Sequence, residues 1–283
     1  AKSTFDTAQS LTNLRVVIDC AHGAAYNTAP NTLHELGAEI VSMGVAPDGL
    51  NINEDCGATA PDAMAQTVRE ASAQIGIGLD GDADRLILSD ETGGIFNGDY
   101  ILAALALDMQ ANGLLHGPVV GTVMSNLGLE LLLAEKGIAF ERAAVGDRYV
   151  LERMKTTGSN LGGEPSGHIL LPHLTRSGDG LIAALQILGV MCRTGKTASK
   201  LLNQFVPVPQ KLVNLPDIDK SVLKEASIIQ TVAAVEAELG NNGRVILRPS
   251  GTEPLIRVMV EALDEPALDK AMEKLVTAIE SYR

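Results

Sequence analysis

The stretch IGIGLDGDADRLIL, residues 75–88, decides the fold. Ile75 to Leu79 alternates apolar residues with glycine, the pattern of a short strand buried on both faces. Three aspartates at alternate positions follow at once, Asp80, Asp82 and Asp84, and then Arg85. Residues 86–89 are suited to a further strand. Open α/β sheets place their ligands beyond the carboxyl ends of strands. Three carboxylates so close together repel one another, and a hard divalent cation removes the conflict. The bland alternative is a solvated acidic turn. Arg85 has two readings as well: neutralising the aspartates as a surface ion pair, or contacting a phosphate or nearby catalytic group.

Calcium held by an EF-hand is the obvious rival, because the loop opens with that spacing and Glu91 falls at its twelfth position. That loop needs glycine at its sixth position, where Arg85 stands, and flanking helices, where both flanks here read as strands.

Working outward, residues 14–20 form a buried strand, residues 21–24 a turn, and a helix then runs to about Leu36 with Gly37 as its cap. Residues 39–45 predict a strand, and Pro61 opens a helix to about Ala73. The order β-α-β-α-β implies a mostly parallel sheet with helices on its faces. It recurs: helix 99–111, strand 118–124, helix 127–136, strand 139–145, helix 147–156, a strand pair within 160–171 and an apolar helix 181–193. A duplicated α/β domain is the natural reading. Residues 204–210 are proline-rich and read as a linker. Beyond them come a strand near 211–215, a helix near 220–239, strands 244–248 and 255–262, and a closing helix over 265–281, a small α+β domain. The expected divisions are 1–94, 95–204 and 205–283.

Composition agrees. The chain has 283 residues, 46% of them hydrophobic, no tryptophan and a formal charge of −13. Such a surface repels duplex DNA and anionic membranes, while a local basic pocket for a phosphorylated small molecule is still compatible with it. Cys20, Cys56 and Cys192 are scattered, without the spacing of a zinc site or a disulfide framework, which suits a reducing, cytoplasmic setting. No apolar run approaches the ~18 residues of a membrane span.

Gly78-Leu79-Asp80-Gly81-Asp82-Ala83-Asp84-Arg85 resembles the magnesium loop of the α-D-phosphohexomutase superfamily. Gly163-Glu164-Pro165-Ser166-Gly167-His168 resembles that superfamily's sugar-specificity loop. Arg248-Pro249-Ser250-Gly251-Thr252-Glu253-Pro254 resembles its phosphate-binding loop. The three occur in the superfamily's order. Residues 121–130, 145–150 and 257–261 are similar to its phosphoglucosamine mutase branch, with one departure: Pro165 stands where that branch often has glutamine. Phosphomannomutase/phosphoglucomutase is therefore the alternative activity, and a non-catalytic sugar-phosphate-binding module the alternative of another class.

The resemblance implies α/β architecture: two consecutive mixed-sheet domains of phosphohexomutase type and a small C-terminal domain. It implies an isomerase interconverting glucosamine 6-phosphate and glucosamine 1-phosphate through a phosphoserine and a bisphosphate. Magnesium would be held by Asp80, Asp82 and Asp84. Arg85 and His168 would lie at the reacting centre. Gly146, Asp147, Glu164 and Ser166 would bind the sugar phosphate, and Arg248, Ser250, Gly251, Thr252 and Arg257 its phosphate. From the residues alone, Asp147 reads equally as a helix N-cap, Ser250-Gly251-Thr252 as a hairpin turn, and His168 as a structural histidine. The superfamily's phosphoserine loop, of Ser-His-Asn-Pro type, does not occur in the chain. It thus resembles a C-terminal fragment without the nucleophile, expected to be inactive alone and to need the phosphoserine domain as partner, with a homodimer as one possible assembly.

Overall fold

The computed structural model describes residues 1–250 and 254–283. It divides into two compact units, Ala1–Ser125 with Leu129–Phe205, and Asn126–Gly128 with Val206–Arg283.

The first unit opens with β1 (Arg15–Asp19), α1 (Thr28–Glu35), β2 (Glu39–Met43), α2 (Asp62–Glu70), β3 (Ile75–Leu79), β4 (Leu86–Asp90) and β5 (Ile95–Phe96). These strands form one sheet in the order β2-β1-β3-β4-β5. β1 pairs parallel with β2 and β3, while β3–β4 and β4–β5 are antiparallel. Every residue of β3 and β4 is buried. The glycines of β3 have a packing reason: a Cβ on Gly76 would meet the Val68 side chain of α2 at 2.7 Å.

There follow α3 (Gly98–Ala111), β6 (Val119–Thr122), α4 (Leu127–Glu135), β7 (Phe140–Ala143), α5 (Asp147–Thr157), β8 (Gly162–Gly163), β9 (Ile169–Leu170), α6 (Gly180–Thr194) and α7 (Ala198–Leu202). The second sheet runs β7-β6-β8-β9, with β6 parallel to both its neighbours and β9 antiparallel to β8. This repeats the first sheet's pattern, so the duplication lies in topology more than in sequence. α3 and α6 are apolar around most of their circumference and are buried accordingly. One continuous core runs from Phe5 through both helices to Phe205.

The second unit contains β10 (Gln210–Pro216), a 3-10 turn at Lys220–Lys224, α8 (Ala226–Leu239), β11 (Gly243–Pro249), β12 (Leu255–Ala262) and α9 (Glu265–Glu280). Its antiparallel sheet has the order β10-β12-β11. Ile256, Val258 and Val260 of β12 share a core with Val235 and Leu239 of α8 and Leu268 and Leu275 of α9. The helix expected over 220–239 is interrupted at Glu225, which is extended at φ −68 and ψ 137. The carboxylate of Asp219 accepts from the Ser221 N–H and closes a separate 3-10 turn, so α8 starts only at Ala226.

Candidate functional site

β3 ends at Leu79, and the chain turns immediately. The Asp80 carbonyl accepts from the Ala83 N–H at 3.0 Å, and Ala83 takes a left-handed φ of 63. Asp80 Oδ1 also accepts from the Arg85 N–H at 3.0 Å, which closes the loop on itself. In this turn one carboxylate oxygen from each of Asp80, Asp82 and Asp84 lies within 4.8 Å of the others. Asp80 is buried, Asp84 half-buried and Asp82 exposed. Burial pushes the Asp80 carboxyl above its ordinary range, with Asp84 and Asp82 adding to the push; the Arg85 N–H and guanidinium oppose it. Three hard oxygen donors, one of them buried and resisting its own charge, fit a divalent cation such as magnesium. The Arg85 Nε stands 3.5 Å from Asp80 Oδ2 and 3.8 Å from Asp84 Oδ1, with the side chain still 48% exposed. It can therefore neutralise the carboxylates and also reach a ligand. Glu91, the EF-hand position, is occupied elsewhere: its carboxylate accepts from the Ser199 N–H at 3.0 Å and the Ser199 hydroxyl at 2.5 Å.

The aspartate loop rests on residues that sequence reasoning passed over. Asp19, at the end of β1, is wholly buried. Its Oδ1 accepts from the Ala21 N–H at 3.0 Å and its Oδ2 from the Gly57 N–H at 2.8 Å. This carboxylate ties two turns together, and the β1 turn in turn touches the aspartate loop: the Ala24 N–H donates to the Gly81 carbonyl at 2.7 Å. Gly23 is glycine for that reason, since a Cβ there would sit 2.2 Å from the Gly81 oxygen. His22, given no role from sequence, takes φ 49 in the same turn and accepts at Nδ1 from the Ala46 N–H. The signal available in sequence was a lone aspartate closing an otherwise apolar strand.

The predicted sugar loop lies against the aspartate loop within the same unit. Arg85 and His168 form an isolated antiparallel bridge, and the Leu86 N–H donates to the Gly167 carbonyl at 3.0 Å. Gly167 takes φ 94, and a Cβ on it would meet the Leu86 oxygen at 2.2 Å. His168 is buried, with Nδ1 3.2 Å from Asp84 Oδ2 and the Gly178 backbone packed against its other nitrogen. From the other side, the Gly98 N–H at the start of α3 donates to the Pro165 carbonyl at 3.1 Å. The structure also brings Glu164 to Gly146: the Gly146 N–H donates to Glu164 Oε1 at 2.6 Å, while the Ser166 hydroxyl lies 3.4 Å from Oε2. The N-cap expected at Asp147 is instead Gly146, at φ 126, and Asp147 is the first helical residue, its carboxylate accepting from the Arg148 N–H.

In the second unit, Ser250 is buried and its N–H donates to the Leu255 carbonyl at 2.9 Å. Arg248 of β11 stands directly opposite Arg257 of β12. Like charges directly opposite in a ladder are destabilising in themselves, and Arg257 has a further interaction of its own. Gly251 and Thr252 lie outside the described residues.

Comparison with known proteins matches the chain, stretch by stretch, to one family. The family models described as Phosphoglucomutase/phosphomannomutase, alpha/beta/alpha domain II, alpha/beta/alpha domain III and C-terminal domain match residues 1–94, 97–208 and 202–278. The phosphoglucosamine mutase of Caulobacter vibrioides is 53% identical over 278 residues, covering 98% of this chain and 62% of that protein. That of Paracoccus denitrificans is 51% identical, covering 99% and 63%. The chain thus spans a little under two thirds of the length of these relatives. Among solved structures, a phosphoglucomutase/phosphomannomutase family protein from Burkholderia thailandensis superposes with a TM-score of 0.80 at 23% identity, over 97% of this chain and 62% of that one. The Aspergillus fumigatus N-acetylphosphoglucosamine mutase in complex with GlcNAc-6P and magnesium gives 0.76 at 18% identity, over 100% and 64%. At these identities the likeness establishes the fold.

Proposed function

Because the chain belongs to the phosphoglucomutase/phosphomannomutase family, we propose that it supplies the metal, sugar and phosphate sites of a phosphoglucosamine mutase. The observation that carries this reading is the junction of Arg85–Leu86 with Gly167–His168, which places a carboxylate cluster beside a loop suited to sugar recognition.

In this reading Asp80, Asp82 and Asp84 hold magnesium, which when bound supplies charge stabilisation to the phosphoryl group in transfer. His168 holds Asp84 in place, a positioning role that its burial favours over direct contact with the reacting atoms. Arg85 balances the carboxylates and reaches toward the transferring phosphate. Glu164 and Ser166 receive the sugar hydroxyls, with Gly146 fixing one oxygen of Glu164. Arg248, Ser250 and Arg257, with Gly251 and Thr252, take the phosphate that is not being transferred. A phosphoserine on the family's remaining domain donates its phosphoryl group to glucosamine 6-phosphate. The bisphosphate turns over, and the second transfer returns a phosphoryl group to the serine and leaves glucosamine 1-phosphate. No helix among the described residues is long and apolar enough to cross a membrane, and a cytoplasmic setting is proposed with this activity.

The test joins this chain to the part of the Caulobacter relative that lies outside the matched 62% and compares kcat/KM for glucosamine, glucose and mannose phosphates in coupled assays with magnesium. Preference for the glucosamine phosphates is expected, with no turnover by the 283-residue chain alone. A folded chimera that prefers glucose or mannose phosphate overturns the sugar assignment.

A further inference from the structure

The two long apolar helices of the first unit begin at the loops described above. The Gly98 N–H of α3 donates to the Pro165 carbonyl, and the Gly180 N–H of α6 to the Ala83 carbonyl. Their C-terminal halves, with the chain segment 4–9, line a cavity of about 500 Å³. All of its lining residues belong to the first unit. From Gly180 to Gly189 a helix rises roughly 13 Å, so the cavity is set well away from the carboxylate cluster. Its volume falls within the ~300–1,000 Å³ of small-molecule sites.

Two features of the walls point to a ligand. Gly189 lies inside α6 and lines the cavity. Glycine there weakens the helix relative to alanine. No close approach demands it: a Cβ would meet Gln9 Oε1 at 3.4 Å and Phe5 Cε2 at 3.8 Å, ordinary contact distances. In this it differs from Gly98 and Gly167, where a Cβ would collide with backbone. What glycine preserves at 189 is space. The second feature is Gln9 itself, whose Oε1 is buried and accepts no hydrogen bond from the described residues. A buried acceptor without a donor is costly, and an N–H or O–H on a ligand removes that cost. The wall that carries Gln9 is pinned to α6, because Gln186 Nε2 donates to the Thr4 carbonyl at 3.2 Å.

The chemistry of the guest follows from the rest of the lining. Phe5, Leu105, Leu171, Leu185 and Val190 are buried and apolar. Arg193 is already paired with Asp108, and the Asp6 carboxylate accepts from the Ala8 N–H at 2.9 Å. Walls of this kind favour a molecule without charge. We infer that the cavity binds an uncharged, largely apolar small molecule bearing an N–H or O–H group, which donates to Gln9 Oε1. The site is independent of the sugar-phosphate reading and adds a second ligand to the chain.

Fluorescence titration of the 283-residue chain with 2-naphthol, and with 2-methoxynaphthalene as the probe that lacks a donor, tests it. Saturable binding is expected, with 2-naphthol about tenfold tighter, the scale of leaving a buried acceptor unpaired. Gly189→Leu fills the space and should abolish binding of both probes in a chain that still melts cooperatively. Gln9→Leu should keep 2-methoxynaphthalene binding and erase the preference for 2-naphthol, which decides the matter if Gly189→Leu does not fold. The inference is overturned by the absence of saturable binding in the parent chain, by equal affinities for the two probes there, by binding untouched in a folded Gly189→Leu, or by a preference that survives Gln9→Leu. Binding that disappears when the chain is joined to the remainder of the Caulobacter relative also overturns it, since the cavity would then be a contact for that part.

Discussion

His168 Nδ1 lies 3.2 Å from Asp84 Oδ2, so the last residue of one predicted motif holds the last aspartate of another. Gly178 closes the far side of the imidazole: a Cβ there would stand 2.3 Å from Nε2. Gly178→Ala is therefore expected to displace the ring and, with it, Asp84. Loss of an outer partner of a metal ligand typically weakens metal affinity ~10–100-fold. Titration with manganese followed by electron paramagnetic resonance should show such a loss in both Gly178→Ala and His168→Leu. Affinity unchanged in both would mean that the histidine does not support the metal loop.

Asp19 predicts a coupled effect at a distance. Asn at this position can accept one of the two N–H groups but turns its own amide donor toward the other. Asp19→Asn should cost about 2–3 kcal/mol of stability, read by urea denaturation, because charged-acceptor hydrogen bonds are lost in a buried place. It should also lower manganese affinity, since the Ala21 turn supports Gly81 through Ala24. Full metal affinity in the destabilised variant would separate the two and sink the coupling.

Gly98 reverses the usual helix preference. Alanine in place of glycine ordinarily favours a helix by up to ~1 kcal/mol. Here a Cβ would stand 1.9 Å from the Glu164 carbonyl oxygen, on a backbone already held by the Gly98–Pro165 hydrogen bond. Gly98→Ala should destabilise by about 1–3 kcal/mol, as overpacking does, and weaken glucosamine 6-phosphate binding by moving Glu164. A variant as stable as the parent in urea would refute the close approach.

Cys20 gives a pH dependence. Burial, reinforced by Asp19, pushes its thiol up to about 12. The folded thiol therefore keeps a proton that the unfolded chain loses near pH ~8.5. Its contribution is complete below that pH and is lost as pH rises toward the folded value, at about 1.4 kcal/mol per unit. Comparing urea midpoints of the parent and Cys20→Ala between pH 8 and 11 isolates this slope. At pH 8 the native thiol should resist iodoacetamide, and ready alkylation would contradict the assignment.

The carboxylate cluster was legible in the sequence because Asp80, Asp82 and Asp84 lie on one short turn after a strand whose burial is written in Ile75, Ile77 and Leu79. Periodicity likewise fixed most elements, since alternation and helical spacing are local. It missed the break at Glu225, where the apolar pattern runs on but Asp219 offers the backbone a competing turn.

What the sequence could not decide was how the motifs meet. The bridge between Arg85 and His168, the two turns tied by Asp19, the approach of Gly98 to Glu164 and the reach of Gln186 to Thr4 all join residues far apart along the chain. Each depends on a buried polar group finding its partner, or on two backbones closing to a distance that excludes a Cβ. Such requirements exist only once the sheets are packed, so a lone aspartate, glycine or glutamine carries no mark of them in the sequence, and only the tertiary structure assigns them their places.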